Sequence, residues 1–368
     1  MLREIMIQQD LWMPSLETEG IKYAGSKLKL IPHIYKVVSE LQDVNNVLDG
    51  FSGTTRVSQL FSLCGFDTFS NDISAWSEVF ATCYLKSQKP DSFYIPILEH
   101  LNGLKGKDGW FTEYYGGSEN DTKKPFQIKN TRKLDAIRDE IDFLGLDWID
   151  KCVILTSLML GLDKVDSTLG HFSSYLAKWS SRSFNDLILQ LPKRNPIRSH
   201  NVVTKSDIFD VLKGNKFDLA YFDPPYGSNN EKMPPSRVRY NAYYHFWTSV
   251  VLNDKPLLFG KVNRREDTRD TANPSIFEEY RKDDNGRFIA VNAIDRLIRE
   301  TNSHYILLSY SSGGRATKEE LLDILSSRGN LKKFYEIDYK KNIMASMRWT
   351  NEWASDTDNK EYLFLLEK

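Results

Sequence analysis

Apolar positions along the 368-residue chain fall into short runs of strand type and longer stretches of helical spacing, in alternation. The run Phe217-Asp218-Leu219-Ala220-Tyr221-Phe222 is aromatic-rich and bounded by Gly214 and Gly227, and it reads as a buried strand of a covered sheet. It stops at Asp223-Pro224-Pro225-Tyr226. Proline cannot donate to a sheet ladder, and the residue before a proline is held extended, so the backbone leaves the sheet at Asp223 in a stiff direction. One carboxylate and one aromatic ring are thereby expected beyond a strand's carboxyl end, where open α/β sheets bind ligands.

The same reading places a helix after Ser26, through Leu30, Ile31, Ile34, Val37, Val38 and Leu41, with Gly25-Ser26-Lys27 offering N–H groups and an ammonium to an anion. A strand over Asn45 to Asp49 runs into Gly50-Phe51-Ser52-Gly53-Thr54-Thr55 and then a helix through Val57, Leu60, Phe61 and Leu63. Strand, glycine turn and helix form the nucleotide-binding arrangement, but the phosphate fingerprint is incomplete, which suits a nucleoside better than a dinucleotide. The next strand, Phe66 to Asp72, ends in an acid placed to reach ribose hydroxyls, or else to cap the helix that follows through Trp76, Val79 and Phe80.

Lys86 to His200 breaks the alternation and reads as a helical insertion, with helices over Lys133–Ile141 and Trp148–Leu162. Val202-Val203-Thr204 resumes the sheet, with Asp207 just beyond it. After Gly227 the chain is expected to stay irregular and charged through about Asp284, with an aromatic run from Tyr240 to Trp247. Helices over Phe288–Ile298 and Lys318–Leu325 and strands over Tyr305–Tyr310, Phe334–Tyr339 and Glu361–Leu366 complete a doubly wound α/β core of about seven strands.

Composition changes this picture little. The charged fraction is 27%, no apolar stretch is long enough to span a bilayer, and residues 1–20 lack a signal-peptide pattern, so a cytoplasmic protein is expected. The three cysteines, Cys64, Cys83 and Cys152, have no CxxC spacing, none follows a proline as a cytosine carbon-5 methyltransferase nucleophile would, and no HExxH pair is present. A net charge of −1 gives no global case for nucleic acid, although basic residues cluster at Lys123/Lys124, Arg132/Lys133, Lys193/Arg194/Arg198, Arg237/Arg239, Lys261/Arg264/Arg265 and Lys332/Lys333/Lys340/Lys341.

Taken together, Tyr23-Ala24-Gly25-Ser26-Lys27, Asp49-Gly50-Phe51-Ser52-Gly53-Thr54 and Asp223-Pro224-Pro225-Tyr226 resemble the N-terminal cofactor motif, the glycine motif and the catalytic motif of the alpha-group, Dam-like DNA adenine-N(6) methyltransferases. The insertion, with Asp135 to Glu140 and Asp166 to His171, is similar to that of a restriction-modification subset of the family. Thr55 departs from the pattern, standing where many members carry a smaller residue.

The resemblance implies a Rossmann-like fold with a mostly parallel seven-stranded sheet, S-adenosylmethionine as methyl donor and double-stranded DNA as substrate. In a restriction-modification setting it also implies a cognate restriction endonuclease. No metal is expected. It implies catalytic roles for Asp223, Pro224, Pro225 and Tyr226, and cofactor contacts from Tyr23, Gly25, Lys27, Asp49, Phe51, Gly53, Asp72, Asp207 and Asp223. DNA contacts are expected from Arg237, Arg239 and Tyr240. The expected division is catalytic parts over 1–85, 201–227 and 287–368, a DNA-recognising helical insertion over 86–200 and an irregular DNA-contacting insertion over 228–286.

The chemistry of the residues agrees. Adenine's amino lone pair is delocalised into the ring; hydrogen bonds accepted from both amino hydrogens, at the Asp223 carboxylate and the Pro224 carbonyl, localise it. Tyr226 is expected to stack on the base once it has left the duplex. Cytosine-N(4) methylation, an RNA adenine substrate and a DNA-binding relative without catalysis are the competing readings. A fused nuclease, suggested by Pro90-Asp91 and Glu99, fails because His100 and Leu101 follow where Glu-x-Lys is needed.

Overall fold

A single seven-stranded sheet forms the centre of the computed structural model, which describes residues 16–118, 124–197, 200–227, 239–269, 275–338 and 360–368. Its strands are β1 (Asn46–Asp49), β2 (Asp67–Asp72), β3 (Val202–Lys205), β4 (Phe217–Phe222), β5 (Ser303–Ser311), β6 (Asn330–Asp338) and β7 (Lys360–Glu367), in the spatial order β6-β7-β5-β4-β1-β2-β3. All pairings are parallel except those of β7, which runs antiparallel to both β5 and β6. The chain leaves β1 towards β2 and β3 on one side and leaves β4 towards β5 on the other. The crevice beyond the carboxyl ends of β1 and β4 is therefore the switch point at which such sheets bind ligands.

Burial on both faces explains why the central strands carry near-continuous apolar runs rather than alternating ones. Val47, Leu219, Tyr221, Leu307, Leu363 and Leu365 point to one face and pack on α1 (Ile31–Ser39) and α2 (Arg56–Leu63). Leu48, Ala220, Phe222, Ile306, Leu308 and Phe364 point to the other, against α8 (Ile208–Leu212), α11 (Ile289–Glu300) and α12 (Lys318–Ser326). Asp218, the one polar residue inside β4, accepts from the backbone N–H groups of Asn45 and Asn46, both at 2.9 Å, and so pins the start of β1 beside it.

The remaining helices form a lobe with its own core: α3 (Ala75–Lys86), α4 (Asp91–Gly103), α5 (Trp110–Tyr115), α6 (Ile128–Phe143), α7 (Trp148–Val165), α9 (Tyr240–Tyr243) and α10 (His245–Leu252). Here the structure departs from expectation. The aromatic run read as irregular forms α9 and α10, and Phe246, Trp247 and Val250 are buried among the insertion's helices. Arg138 on α6 donates to the carbonyls of Val250 at 2.6 Å and Val251 at 3.0 Å, satisfying the end of α10. With most of α10 buried, from His245 to Val251 except Thr248, the helix carries little amphipathic period and its sequence gives a weak helical signal.

The lobe also takes in the turn at Gly260 to Asn263, because Tyr115 donates to the Asn263 carbonyl and Tyr175 to the Val262 carbonyl, at 2.7 and 2.6 Å. No described helix is long and apolar enough to cross a membrane.

Candidate active site

The crevice at the switch point opens into a cavity of about 900 Å³, lined by ends of β1, β2, β3 and β4 and by the segment preceding α1. Tyr23, Gly25, Lys27, Asp49, Phe51, Gly53, Asp72, Asp207, Asp223, Pro224, Pro225 and Tyr240 all line it. The sequence motifs, up to two hundred residues apart, thus meet in one place. Tyr226 is not among the lining residues.

At the glycine turn the backbone itself forms the wall. A Cβ on Gly50 would stand 2.7 Å from the Phe222 ring, so that position takes no side chain without displacement, and Gly53 adopts φ +48°, a backbone conformation strained for any residue with a side chain. Thr55 ends the turn at φ 62°, a left-handed conformation that is costly for a β-branched residue, roughly 1–2 kcal/mol. The departure noted in the motif is therefore a point of backbone strain.

Asp72 bonds to the glycine turn as well as to the start of the helix it was expected to cap. Its Oδ2 accepts from the Gly53 N–H at 2.9 Å and its Oδ1 from the Ser74 N–H at 2.8 Å, so it ties the glycine turn to the start of α3. Burial nevertheless raises its pKa, with those N–H groups pulling the other way. Asp207 caps α8 through the Phe209 N–H at 2.8 Å. Asp49 is fully buried: Oδ2 accepts from Ser58 at 2.6 Å, while Oδ1 has no partner among the described residues. Burial pushes this carboxyl up to about 7.

At β4 the geometry is tighter. Lys27 places its ammonium between two carboxylates, 2.9 Å from Asp223 Oδ1 and 2.8 Å from Glu361 Oε1. The Tyr226 hydroxyl is 2.9 Å from Asp223 Oδ1 and 3.0 Å from Glu361 Oε1, and Lys27 also donates to it. Burial pushes the Asp223 carboxyl up to about 6, with Lys27 lowering it and Glu361 raising it. Burial opposes the Lys27 ammonium, but the two carboxylates hold its pKa above the ordinary value. The anion that Lys27 was expected to meet is thus supplied by the protein.

Two expected roles look different in three dimensions. The Tyr226 ring lies edge-on to Tyr310 at 5.0 Å and its hydroxyl is held in the carboxylate knot. The aromatic wall of the cavity comes instead from Tyr23, Trp76 and Tyr240. Tyr23 stacks on Tyr244 at 4.6 Å and tilts against Tyr240 at 5.6 Å. Arg239, expected at a DNA surface, is only 9% exposed and lies in the field of Glu278, whose carboxyl burial pushes up to about 7. Arg237, Lys123, Arg198, Lys340 and Lys341 lie outside the described residues.

Glu361 is the site residue that the sequence reading missed, although it opened an expected strand. Nothing local marks it; its partner Lys27 is 334 residues away. Among the described residues no group of three or more His, Cys, Asp or Glu is arranged to hold a metal ion.

A mostly parallel sheet with one reversed strand, carrying a nucleoside-type glycine turn after β1 and an acid-Pro-Pro corner after β4, defines the Rossmann-like methyltransferase class. Comparison with known families narrows this: the model of the D12 class N6 adenine-specific DNA methyltransferases matches residues 23–246, more than half of the chain, and the chain belongs to that family.

Among individual relatives, the modification methylase StsI of Streptococcus sanguinis is 27% identical over 345 residues, covering 87% of this chain and 48% of its own. The type II methyltransferase M.FokI of Planomicrobium okeanokoites is 24% identical over 366 residues, covering 95% of this chain and 53% of its own. The chain thus spans about half the length of these two relatives. The type II methyltransferase M.NlaIII of Neisseria lactamica, 26% identical over 357 residues, is matched over 99% of its length.

Proposed function

We propose that the protein is a site-specific DNA adenine-N(6) methyltransferase, the modification enzyme of a restriction-modification system, using S-adenosylmethionine as methyl donor. The single observation that carries this reading is the Asp223 carboxylate, fixed at the end of β4 beside Pro224 and Pro225 in the same cavity as the glycine turn, Asp49 and Asp72. Family membership and relatives named as modification methylases support it. A cognate restriction endonuclease is the partner this setting implies.

The cavity fits the donor on its own terms. An unpartnered buried oxygen on Asp49, beside the glycine turn in the cavity wall, is a feature that a polar ligand would use. Tyr23, Gly25, Lys27, Asp49, Phe51, Gly53, Asp72 and Asp207 would hold it, with Asp72 at the ribose. The bound donor supplies an electrophilic methyl group on a sulfonium. Asp223 and the Pro224 carbonyl accept from the two amino hydrogens of the flipped adenine and return the lone pair to nitrogen; Tyr23 and Tyr240 give the base an apolar wall. Catalysis by this chain is positioning and electrostatics. Because Asp223 must be ionised to accept, activity is lost as pH falls through about 6. We assign DNA sequence reading to the helical lobe together with the turn at Gly260 to Asn263, because Tyr115 and Tyr175 hold that turn to the lobe as one piece.

Asp72→Ala should weaken S-adenosylmethionine binding at least roughly tenfold, since it removes the ribose acceptor and frees the glycine turn, each worth on the order of 1 kcal/mol. Isothermal calorimetry checks it; unchanged affinity would leave Asp72 as a backbone tie only. The function itself is tested by incubating the protein and a labelled methyl donor with duplex DNA and with RNA, then analysing nucleosides by mass spectrometry. Labelled N6-methyladenine from DNA is expected. Label in N4-methylcytosine or only in RNA would replace this reading, and none in any nucleic acid would remove it.

A further inference from the structure

Glu361 is 5% exposed and stands on the β7 face that also presents Leu363 and Leu365 to the core. A carboxylate there is costly unless paired, and an aliphatic side chain would suit the surroundings better if packing were all that mattered. Three donors converge on its Oε1: Lys27 at 2.8 Å, Tyr226 at 3.0 Å and Ser309 at 3.0 Å. It is not among the residues lining the cavity, so it acts on the reaction only through others.

The arrangement has a use. Asp223 Oδ1 is engaged by both Lys27 and Tyr226, while the amino group of a target base needs that carboxylate as its acceptor. Were Asp223 the only partner of Lys27, turning to the base would leave a buried ammonium unpaired. Glu361 shares the ammonium at nearly the same distance, and the Tyr226 hydroxyl, with one proton and two acceptors, can donate to either carboxylate. Ser309 on β5 holds the shared oxygen in place.

We propose that Glu361 is a positioning residue for methyl transfer, an anchor that keeps Lys27 and Tyr226 in place when the Asp223 carboxylate turns to the target amino group. The inference rests on the adenine-methyltransferase reading. Its charge also acts on Asp223, in company with Lys27 from the N-terminal segment, Tyr226 from the catalytic corner, Tyr221 on β4, Tyr240 on α9, Tyr23 and Asp49. Of these, Glu361 raises the Asp223 pKa and Lys27 lowers it. Removing the negative charge at 361 therefore lowers that pKa and moves the acid limb of the rate profile to lower pH.

The test compares Glu361→Gln and Glu361→Asp with wild type in single-turnover methylation of DNA across pH 5 to 8, alongside donor affinity and melting temperature. Glu361→Gln should lower the plateau rate by about tenfold or more, move the acid limb to lower pH and leave donor affinity near wild type. Glu361→Asp keeps the charge but withdraws it by one methylene; it should lose rate and keep the limb. Wild-type rate in either variant overturns the proposal, as does a Glu361→Gln rate loss with an unmoved limb. If Glu361→Gln fails to fold, Glu361→Asp decides alone, by rate. Should wild type itself transfer no methyl group to DNA, the functional reading has failed, and not this inference alone.

Discussion

Asp223→Asn is expected to reduce methyl transfer to DNA by at least about a hundredfold, the scale on which a preorganised electrostatic contact is lost from an active site. The amide keeps the shape of the side chain and one acceptor oxygen, but no charge, and it can offer Nδ2 hydrogens where the adenine amino group offers its own. Asp223→Ala should be at least as damaging, leaving the Pro224 carbonyl as the remaining acceptor. The fold should survive both changes, because Glu361 still neutralises Lys27 at 2.8 Å. A single-turnover rate within about tenfold of wild type for either variant would be incompatible with an essential acceptor at this position.

Lys27→Met should have the largest effect on stability, about 3–5 kcal/mol, because it leaves two buried carboxylates without their cation while keeping much of the side chain's bulk. The side chains of Lys27, Asp223 and Glu361 are 6%, 15% and 7% exposed, so solvent screens the pair little. The loss should depend on pH with a definite sign. Asp223 already has a folded-state pKa raised to about 6, and without Lys27 it rises further. In the unfolded chain the same carboxyl ionises near its ordinary value, about 4. Between those values the folded state binds more protons than the unfolded one, so stability falls as pH rises. The deficit of Lys27→Met relative to wild type is therefore expected to be small near pH 4 and to grow towards pH 8. Urea denaturation at several pH values measures it; a deficit that stays flat with pH, or below about 1 kcal/mol throughout, would show that this ion pair is solvated or that another group replaces Lys27.

The parts of the site that could be read from the sequence are those whose chemistry is local. Asp223-Pro224-Pro225 states its own geometry, since the prolines end the ladder where the acid stands, and Gly50 and Gly53 mark a turn because Gly50 has no room for a side chain beside Phe222 and Gly53 needs a positive φ. The strand boundaries were legible for a similar reason: β4 and β5 are buried on both faces and their apolar runs are continuous.

What was hidden depends on distant partners. A glutamate at the head of β7 looks like a solvated strand end until Lys27 is brought beside it. The low exposure of Arg239, expected at a DNA surface, and its place in the field of Glu278 show only in the fold. The aromatic run into Trp247 carries little period because α10 is largely covered, by α3, α7 and the aromatic residues around Phe172. Tyr226 shows the same limit at the level of one side chain: its position was evident from the motif, its hydrogen bonds to Asp223 and Glu361 were not.

The central claim, that the Asp223 corner methylates adenine in DNA at a defined sequence, is tested most directly in a host strain with no adenine methylation of its own. The wild-type protein and Asp223→Ala are expressed there, and genomic DNA is sequenced by a method that reads modified bases directly. Wild type should leave N6-methyladenine at one recurring sequence and Asp223→Ala should leave none, at equal protein levels. Modified cytosine in place of adenine, or adenine methylation that persists at the same sites in the Asp223→Ala strain, would contradict it.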